Sequence, residues 1–355
     1  MKICNSVIII PVLNPDDNLK NYIENLVHEG VKKIIVVDDG SGKKYREKFR
    51  VISEIPECIL YTHEINKGKG RALKDALKLY QEKRLNEQFN GVITVDADGQ
   101  HLVSDVLKIS EEMNIAKNEL ILGERNFDRD VPLRSRFGNS CTRIIFRLLY
   151  GMDIDDTQTG LRGIPNKLIT EFDDLEGERY EYEMNMLMMC SLKKINIRSI
   201  TIETVYLNNN TSSHFNAVKD SFRIYKLLLK TFLKFVLSSL SSSIIDIVLF
   251  QVLVFILKGK CEQYILFSTI GARICSSFYN YTVNKKVVFG SEDKIAKSLV
   301  KYYLLCVVQM IISAIGVTGV YMLIPINETV IKVLVDVLLF FISYRIQKVW
   351  IFNQK

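Results

Sequence analysis

The chain is poor in the residues that punctuate or cross-link a fold. Only six prolines and one tryptophan occur in its 355 residues. Its seven cysteines, Cys4, Cys58, Cys141, Cys190, Cys261, Cys275 and Cys306, are scattered and form no Cys-x-x-Cys pair. That spacing argues against a zinc site and a disulfide framework, and it suits a reducing compartment for most of the chain. No Gly-x-Gly-x-x-Gly and no Gly-x-x-x-x-Gly-Lys stretch occurs, so the dinucleotide and P-loop readings lose support. No internal repeat, low-complexity tract or basic tail is evident. The first residues read as a short strand and not as a signal peptide.

Long hydrophobic runs are also missing until about residue 230. Before that point charged and apolar residues are mixed, as in a soluble domain. After it come four apolar segments, near 235–257, 264–283, 299–324 and 329–346. Each approaches the ~20 residues a helix needs to cross ~30 Å of hydrocarbon. The alternative is a soluble bundle of buried helices, but four such segments in succession with so few charges are hard to bury that way. Lys285, Lys286, Lys294 and Lys297 fall between the second and third segments, with Lys301 at the start of the third, and Lys348 and Lys355 follow the fourth. Loop lysines mark the cytoplasmic side, which places the N-terminal half, the middle loop and the C-terminus there. Lys258 and Lys260 in the first outer loop run against the pattern. The formal net charge of +7 favours anionic partners, either nucleotide phosphates or an anionic leaflet, and no nucleic-acid partner is read.

What the first half does contain is a regular alternation of strand and helix. Apolar runs at 7–12, 33–37, 58–61 and 92–95 are each followed by a helical pattern. That alternation predicts an α/β domain with a parallel, doubly wound sheet. Each run ends in polar or glycine residues. Val92-Ile93-Thr94-Val95 stops at Asp96-Ala97-Asp98-Gly99-Gln100-His101. Two carboxylates at i and i+2 of an extended chain point the same way and repel without a cation between them. Mg²⁺ or Mn²⁺ shared with a substrate phosphate would supply one. An Asx-type turn, which also uses Asp and Gly, explains the same residues. Asp38 and Asp39 can accept hydrogen bonds from a base or ribose. Gly68 and Gly70, with Lys67, Lys69 and Arg71, can bring amides and cations to an anion near a helix N-terminus.

The order Pro11…Asn14, Val37-Asp38-Asp39-Gly40-Ser41, Asn66-Lys67-Gly68-Lys69-Gly70, Asp96-Ala97-Asp98-Gly99-Gln100-His101, Gly123-Glu124-Arg125 and Asp156-Thr157-Gln158-Thr159-Gly160-Leu161-Arg162 resembles family 2 glycosyltransferases of the GT-A fold. More narrowly, it is similar to polyprenyl-phosphate sugar synthases of the dolichol-phosphate mannose synthase type, over about residues 5–225. Ala272-Arg273-Ile274, Asn280-Tyr281, Asn284-Lys285 and Tyr344…Trp350-Ile351-Phe352 resemble the GtrA-like membrane domain of four helices. The expected organisation is a Rossmann-like, mostly parallel GT-A domain over 1–218. A juxtamembrane amphipathic helix at 219–234 and an all-α domain of four transmembrane helices at 235–355 follow it.

The resemblance implies transfer of a sugar, with inversion, from a GDP- or UDP-linked donor to a polyprenyl phosphate such as undecaprenyl or dolichyl phosphate. It implies that Asp96, Asp98 and Gln100 hold Mg²⁺ or Mn²⁺. Pro11, Asn14, Asp38, Asp39, Lys69 and Asp96 would bind the donor nucleotide, and Asp98, Arg125 and Arg136 would carry catalysis. Arg136, Ser140 and His214 would receive the acceptor phosphate. In the family a Glu commonly follows the Asn of the first motif; here Pro15 stands there, with Asp16 and Asp17 next as substitutes. Glu181 and Glu183 read as scaffold. The basic, apolar stretches at 134–150 and 220–230 suit a headgroup interface, or are core-facing helices with solvated cations.

Within the apolar segments Lys332 and Asp336 sit i, i+4 and are expected to pair, as are Asp246 and Arg273. Two other functions compete. A lipid-linked sugar flippase would use the membrane half, and glycosyl transfer to another membrane acceptor would use the same soluble domain. A processive polysaccharide synthase would carry Gln-x-x-Arg-Trp in the soluble half, but the sole tryptophan is Trp350. A homo-oligomer is left open.

Overall fold

The computed structural model describes residues 4–125, 133–203, 219–260, 262–324 and 327–352; for 133–138 and 219–221 it describes the backbone alone. The chain divides into two compact units, Met1–Arg147 with Met152–Tyr225, and Leu148–Gly151 with Lys226–Lys355.

In the first unit the chain runs β1 (Val7–Val12), α1 (Asn18–His28), β2 (Ile34–Asp38), α2 (Arg46–Ser53), β3 (Cys58–Thr62), α3 (Lys69–Glu82), β4 (Gly91–Thr94) and α4 (Val103–Ile115). It continues through β5 (Leu120–Arg125), α5 (Leu133–Tyr150), β6 (Arg162–Pro165), α6 (Asn166–Phe172), α7 (Glu181–Lys193) and β7 (Ile197–Ile202). The described strands form one sheet in the order β3-β2-β1-β4-β6-β5-β7. Val7–Ile10 and Ile34–Val37 are fully buried, because a parallel sheet is covered on both faces and rewards continuous β-branched runs. The sheet is parallel as expected, with one exception: β6 runs antiparallel to β4 and β5. The chain reaches β6 from the carboxyl end of β4, so Arg162 opposes Thr94 and the strand runs the other way. That reversal brings Gly160 to the end of β4, where Thr94 Oγ1 donates to the Gly160 carbonyl at 2.7 Å.

The second unit carries α8 (Lys219–Leu257) from its Lys226 onward, then α9 (Tyr264–Val283), α10 (Ile295–Leu323) and α11 (Glu328–Ile346). Each apolar segment of the sequence is thus a helix, and the amphipathic stretch before the first continues into it without a break. Among the described residues, Phe222–Leu257 and Ile295–Leu323 are long and apolar enough to cross a membrane by length and composition. α9 and α11 fall short because Arg273, Asn280, Lys332, Asp336 and Arg345 interrupt them.

The second unit also holds a repeat that was not evident in the sequence. α9 and α11 both end in a π-helical turn, Asn284–Val288 and Gln347–Ile351. Tyr281-x-x-Asn284-Lys285-x-x-x-Phe289 matches Tyr344-x-x-Gln347-Lys348-x-x-x-Phe352. The contacts cross between the copies: Tyr281 packs on Phe352 at 5.6 Å and Tyr344 on Phe289 at 5.9 Å. Phe289 and Phe352 stack on each other at 5.4 Å, and Asn284 Nδ2 donates to Gln347 Oε1 at 2.9 Å. Lys234 Nζ donates to the Val287 carbonyl as Lys301 Nζ does to that of Trp350. Ser242 donates to the Ser276 carbonyl as Gln309 does to that of Leu339. The two hairpins therefore meet as a pseudo-dimer about a local two-fold relation.

The charges carried by the apolar helices pair within each hairpin. Lys332 Nζ lies 2.8 Å from Asp336 and 2.6 Å from Ser313 Oγ, and Arg273 stands 3.5 Å from Asp246. Hydrocarbon leaves such groups no other partner.

Candidate active site

The carboxyl ends of β1, β2 and β4 open onto a cleft of about 410 Å³. Open α/β sheets place ligands at this edge. The end of β1 and the turn after it supply Pro11 to Asp16, and Tyr45, Asp39 and Asn66 line the same cleft. Gly68 and Lys69 come from the start of α3, Asp96 to Asp98 from the end of β4, and Arg179 and Tyr180 from the approach to α7.

Each wall is fixed by local hydrogen bonds. Asn14 sits in the left-handed region at φ 50°, and its amide donates to Ser41 Oγ at 2.8 Å. Asp16, next to Pro15, accepts the Asn18 amide at 3.0 Å and lines the cleft. Asp17 turns away to Lys48 at 2.8 Å. Asp38 Oδ1 accepts the Ser41 amide at 2.8 Å. Asp39 accepts the Lys67 and Gly68 amides at 2.9 and 2.8 Å, so it shapes the glycine turn that starts α3. Gly68 has φ 104°, and a β-carbon there would stand 2.3 Å from the Glu178 carbonyl oxygen. Only glycine satisfies both constraints.

The floor of the cleft is charged. Lys69 Nζ lies 2.6 Å from Asp96 Oδ1 and 2.9 Å from Glu183 Oε1. His101 Nε2 is 3.5 Å from Asp96 Oδ2, and both its buried ring nitrogens lack a hydrogen-bond partner. Burial alone would raise the Asp96 carboxyl, but the Lys69 ammonium and then His101 hold it well below the usual range. Asp98 moves the other way, raised first by burial and then by the Asp96 charge. The Gln100 amide donates to Asp98 Oδ1 at 3.1 Å. The Asx turn and the paired carboxylates are thus one feature. Among the described residues no three His, Cys, Asp or Glu side chains form a metal-binding cluster. Two adjacent carboxylates fit a hard cation that keeps phosphate and water ligands, not a closed protein cage.

Of the residues expected from sequence, Pro11, Asn14, Asp39, Lys69, Asp96 and Asp98 line the cleft together. Asp38 and Gln100 are buried beside it and are not among its lining residues. Arg125 is not among them either; its guanidinium grips buried Asp156 bidentately at 2.5 and 3.0 Å. Ser140 is exposed on α5. The Arg136 side chain and His214 lie outside the described residues. Tyr45, Arg179 and Tyr180 were not anticipated, nor was the contact of Glu183 with Lys69. The only sequence signal for the last two was the charged, aromatic run Glu178-Arg179-Tyr180-Glu181-Tyr182-Glu183.

Residues 7–165 match the model of glycosyl transferase family 2, and residues 234–352 match the GtrA/DPMS transmembrane domain. An uncharacterized protein of Methanocaldococcus jannaschii is 29% identical over 231 residues, covering 63% of this chain and 90% of its own length. A UDP-N-acetylglucosamine–dolichyl-phosphate N-acetylglucosaminyltransferase of Methanococcus voltae is 28% identical over 243 residues, covering 62% of this chain and 94% of its own. Among solved structures, glucosyl-3-phosphoglycerate synthase of Mycobacterium tuberculosis, in complex with Mn²⁺, UDP-glucose and phosphoglyceric acid, aligns with a TM-score of 0.46 at 16% identity. It covers 64% of this chain and 79% of that one.

Proposed function

This chain belongs to the family 2 glycosyltransferases and carries a GtrA/DPMS transmembrane domain, and we propose that it makes a polyprenyl-phosphate monosaccharide at the cytoplasmic membrane face. The observation that carries the reading is the floor of the cleft, where Asp96 and Asp98 end β4 beside Lys69. The donor is a nucleoside diphosphate sugar. The Methanococcus voltae relative, named for UDP-N-acetylglucosamine and dolichyl phosphate, supports a UDP-linked donor and a polyprenyl phosphate acceptor.

Asn14, Asp39 and the turn from Pro11 form the nucleoside end, with Asp38 behind them. Lys69 faces the diphosphate. Asp96 and Asp98, with Gln100 behind them, are the residues we assign to Mg²⁺ or Mn²⁺. Such a cation, when bound, neutralises charge on the leaving diphosphate. A phosphate monoester has its second pKa near ~6, so the acceptor is already anionic at pH 7 and needs no general base. Cations that place the acceptor then matter most, and we assign Arg136, Ser140 and His214 to it. Arg125 acts through Asp156, stiffening the loop that carries Gly160. Direct attack by the acceptor oxygen on the anomeric carbon inverts it.

The test is transfer by the detergent-solubilised chain. Labelled UDP- and GDP-sugars are offered with undecaprenyl and dolichyl phosphate, with and without Mn²⁺. The expected product is a lipid-phosphate monosaccharide, lost in Asp98→Ala. Full transfer by Asp98→Ala would remove the site assignment, and no lipid product with any donor would remove the acceptor.

A further inference from the structure

Beneath the cleft lies a buried histidine, set between two carboxylates, that the reaction does not use. His63 is the first residue past β3 and is almost fully buried. Its Nδ1 stands 2.8 Å from Asp39 Oδ1 and its Nε2 2.9 Å from Asp75 Oδ2. Asp39 also accepts the amides of Lys67 and Gly68, and Asp75 faces Arg71 at 3.7 Å, so each carboxylate meets His63 as an acceptor. Arg71 in turn pairs bidentately with Glu178. A neutral imidazole would point a lone pair at one carboxylate. Two acceptor partners require a proton on each ring nitrogen. The Tyr61 ring packs against the imidazole, its centroid 5.6 Å away and the two planes nearly perpendicular.

We propose that His63 is a positioning residue for the sugar donor. As a doubly donating imidazolium it clamps Asp39, and Asp39 holds the Lys67 and Gly68 amides. That fixes the turn from which Lys69 reaches Asp96. The role rests on the cleft being the nucleotide site. His63 touches no substrate; it sets the shape and charge of the wall that does. Asp75 only balances the second proton of the ring.

The chain has four histidines, so nitrogen-15 histidine labelling with His63→Gln as the assignment control is tractable in detergent. The ring of His63 should show the two-proton imidazolium signature. UDP and GDP affinity, read by calorimetry with Mn²⁺, should fall about tenfold in His63→Gln, the low end of what losing a partner that orients a metal-binding side chain costs. The amide resonances of Lys67 and Gly68 should move in that variant without nucleotide. Asp75→Asn should keep affinity within about twofold, because Nδ1 still donates to Asp39 while Nε2 becomes an acceptor. A neutral ring, or unchanged affinity and unmoved amides in His63→Gln, overturns the proposal. If the unaltered chain binds neither nucleotide, the nucleotide reading fails, and the two amide resonances alone decide whether His63 holds the turn.

Discussion

Gly160 lies against Asp96 so closely that a β-carbon on it would stand 2.2 Å from Asp96 Oδ2. The loop before β6 therefore limits where the Asp96 carboxylate can go. Lys69 and His101 hold that carboxylate from the other sides. In Gly160→Ala the carboxylate must swing off Lys69. A displacement near 1 Å at a reacting site costs roughly 100-fold in rate. We expect kcat/KM for the nucleotide-sugar to fall by about that factor, measured by donor-dependent lipid labelling. Unchanged kinetics would mean that Asp96 tolerates displacement and is no part of the site.

Lys69 is the cation between two carboxylates, Asp96 and Glu183. Despite a burial cost, the two charges raise its ammonium above the ordinary lysine range. Lys69→Met removes the ammonium between the two carboxylates and leaves Glu183 without its cation. Breaking such a pair costs about 3 kcal/mol. In a thermal-shift assay Tm should drop on the order of 10 °C, with transfer lost, while Lys69→Arg should retain most of the Tm. A methionine variant as stable as the parent would show that the triad is not held by charge.

Much of this site was legible because its chemistry sits at the ends of strands. The runs at Val7–Val12, Ile34–Asp38 and Gly91–Thr94 are too β-branched and continuous to be anything but buried strands. Their terminal polar residues must then share one edge of a parallel sheet. Tyr45, Arg179 and Tyr180 escaped because they reach the cleft through tertiary folding, with no local pattern to mark them. Arg125 suggested a phosphate ligand, since arginine suits phosphate, but the buried Asp156 carboxylate thirty-one residues away takes the same fork. The antiparallel β6 was invisible because strand direction depends on where the preceding loop crosses the sheet. The hairpin repeat was hidden by Asn284 against Gln347 and Phe235 against Tyr302, which conserve contact but not identity.

Glu124 gives the first unit a pH signature. Burial raises its carboxyl above the ordinary 4.5, and the charges of Asp155 and Asp156 add to this against hydrogen bonds from Ser199 and the Asp155 amide. The folded chain therefore holds this proton more tightly than the unfolded one, and ionisation costs stability. The cost is absent below about 4.5, grows as pH rises past it, and is complete above the raised folded value. Gln at this position keeps the acceptor oxygen for Ser199 and cannot ionise. We expect Glu124→Gln to match the parent Tm near about pH 4 and to exceed it near about pH 7. A gap that closes as pH rises would reverse the assignment.

The pseudo-dimer in the membrane domain makes a separate prediction, because a buried amide pair joins the two copies of the repeat at its centre. Asn284 Nδ2 donates to Gln347 Oε1, and Gln347 Nε2 donates onward to Ser343 Oγ at 3.1 Å. Asn284 also reaches Asn280, which accepts from Tyr302 on the other hairpin at 2.8 Å. Either Asn284→Leu or Gln347→Leu strands the polar group opposite it in a buried site. The double variant strands neither and replaces the pair with apolar packing. The two changes should therefore be strongly non-additive. Hydrogen bonds between membrane helices average about 0.6 kcal/mol and reach about 1.7 kcal/mol, so a coupling near the upper value is expected here. Unfolding of the purified chain in detergent, followed for the parent, both singles and the double, measures it. Strict additivity would show that the halves are held by the Phe289–Phe352 stack and the crossed tyrosines, with the amide pair contributing nothing of its own.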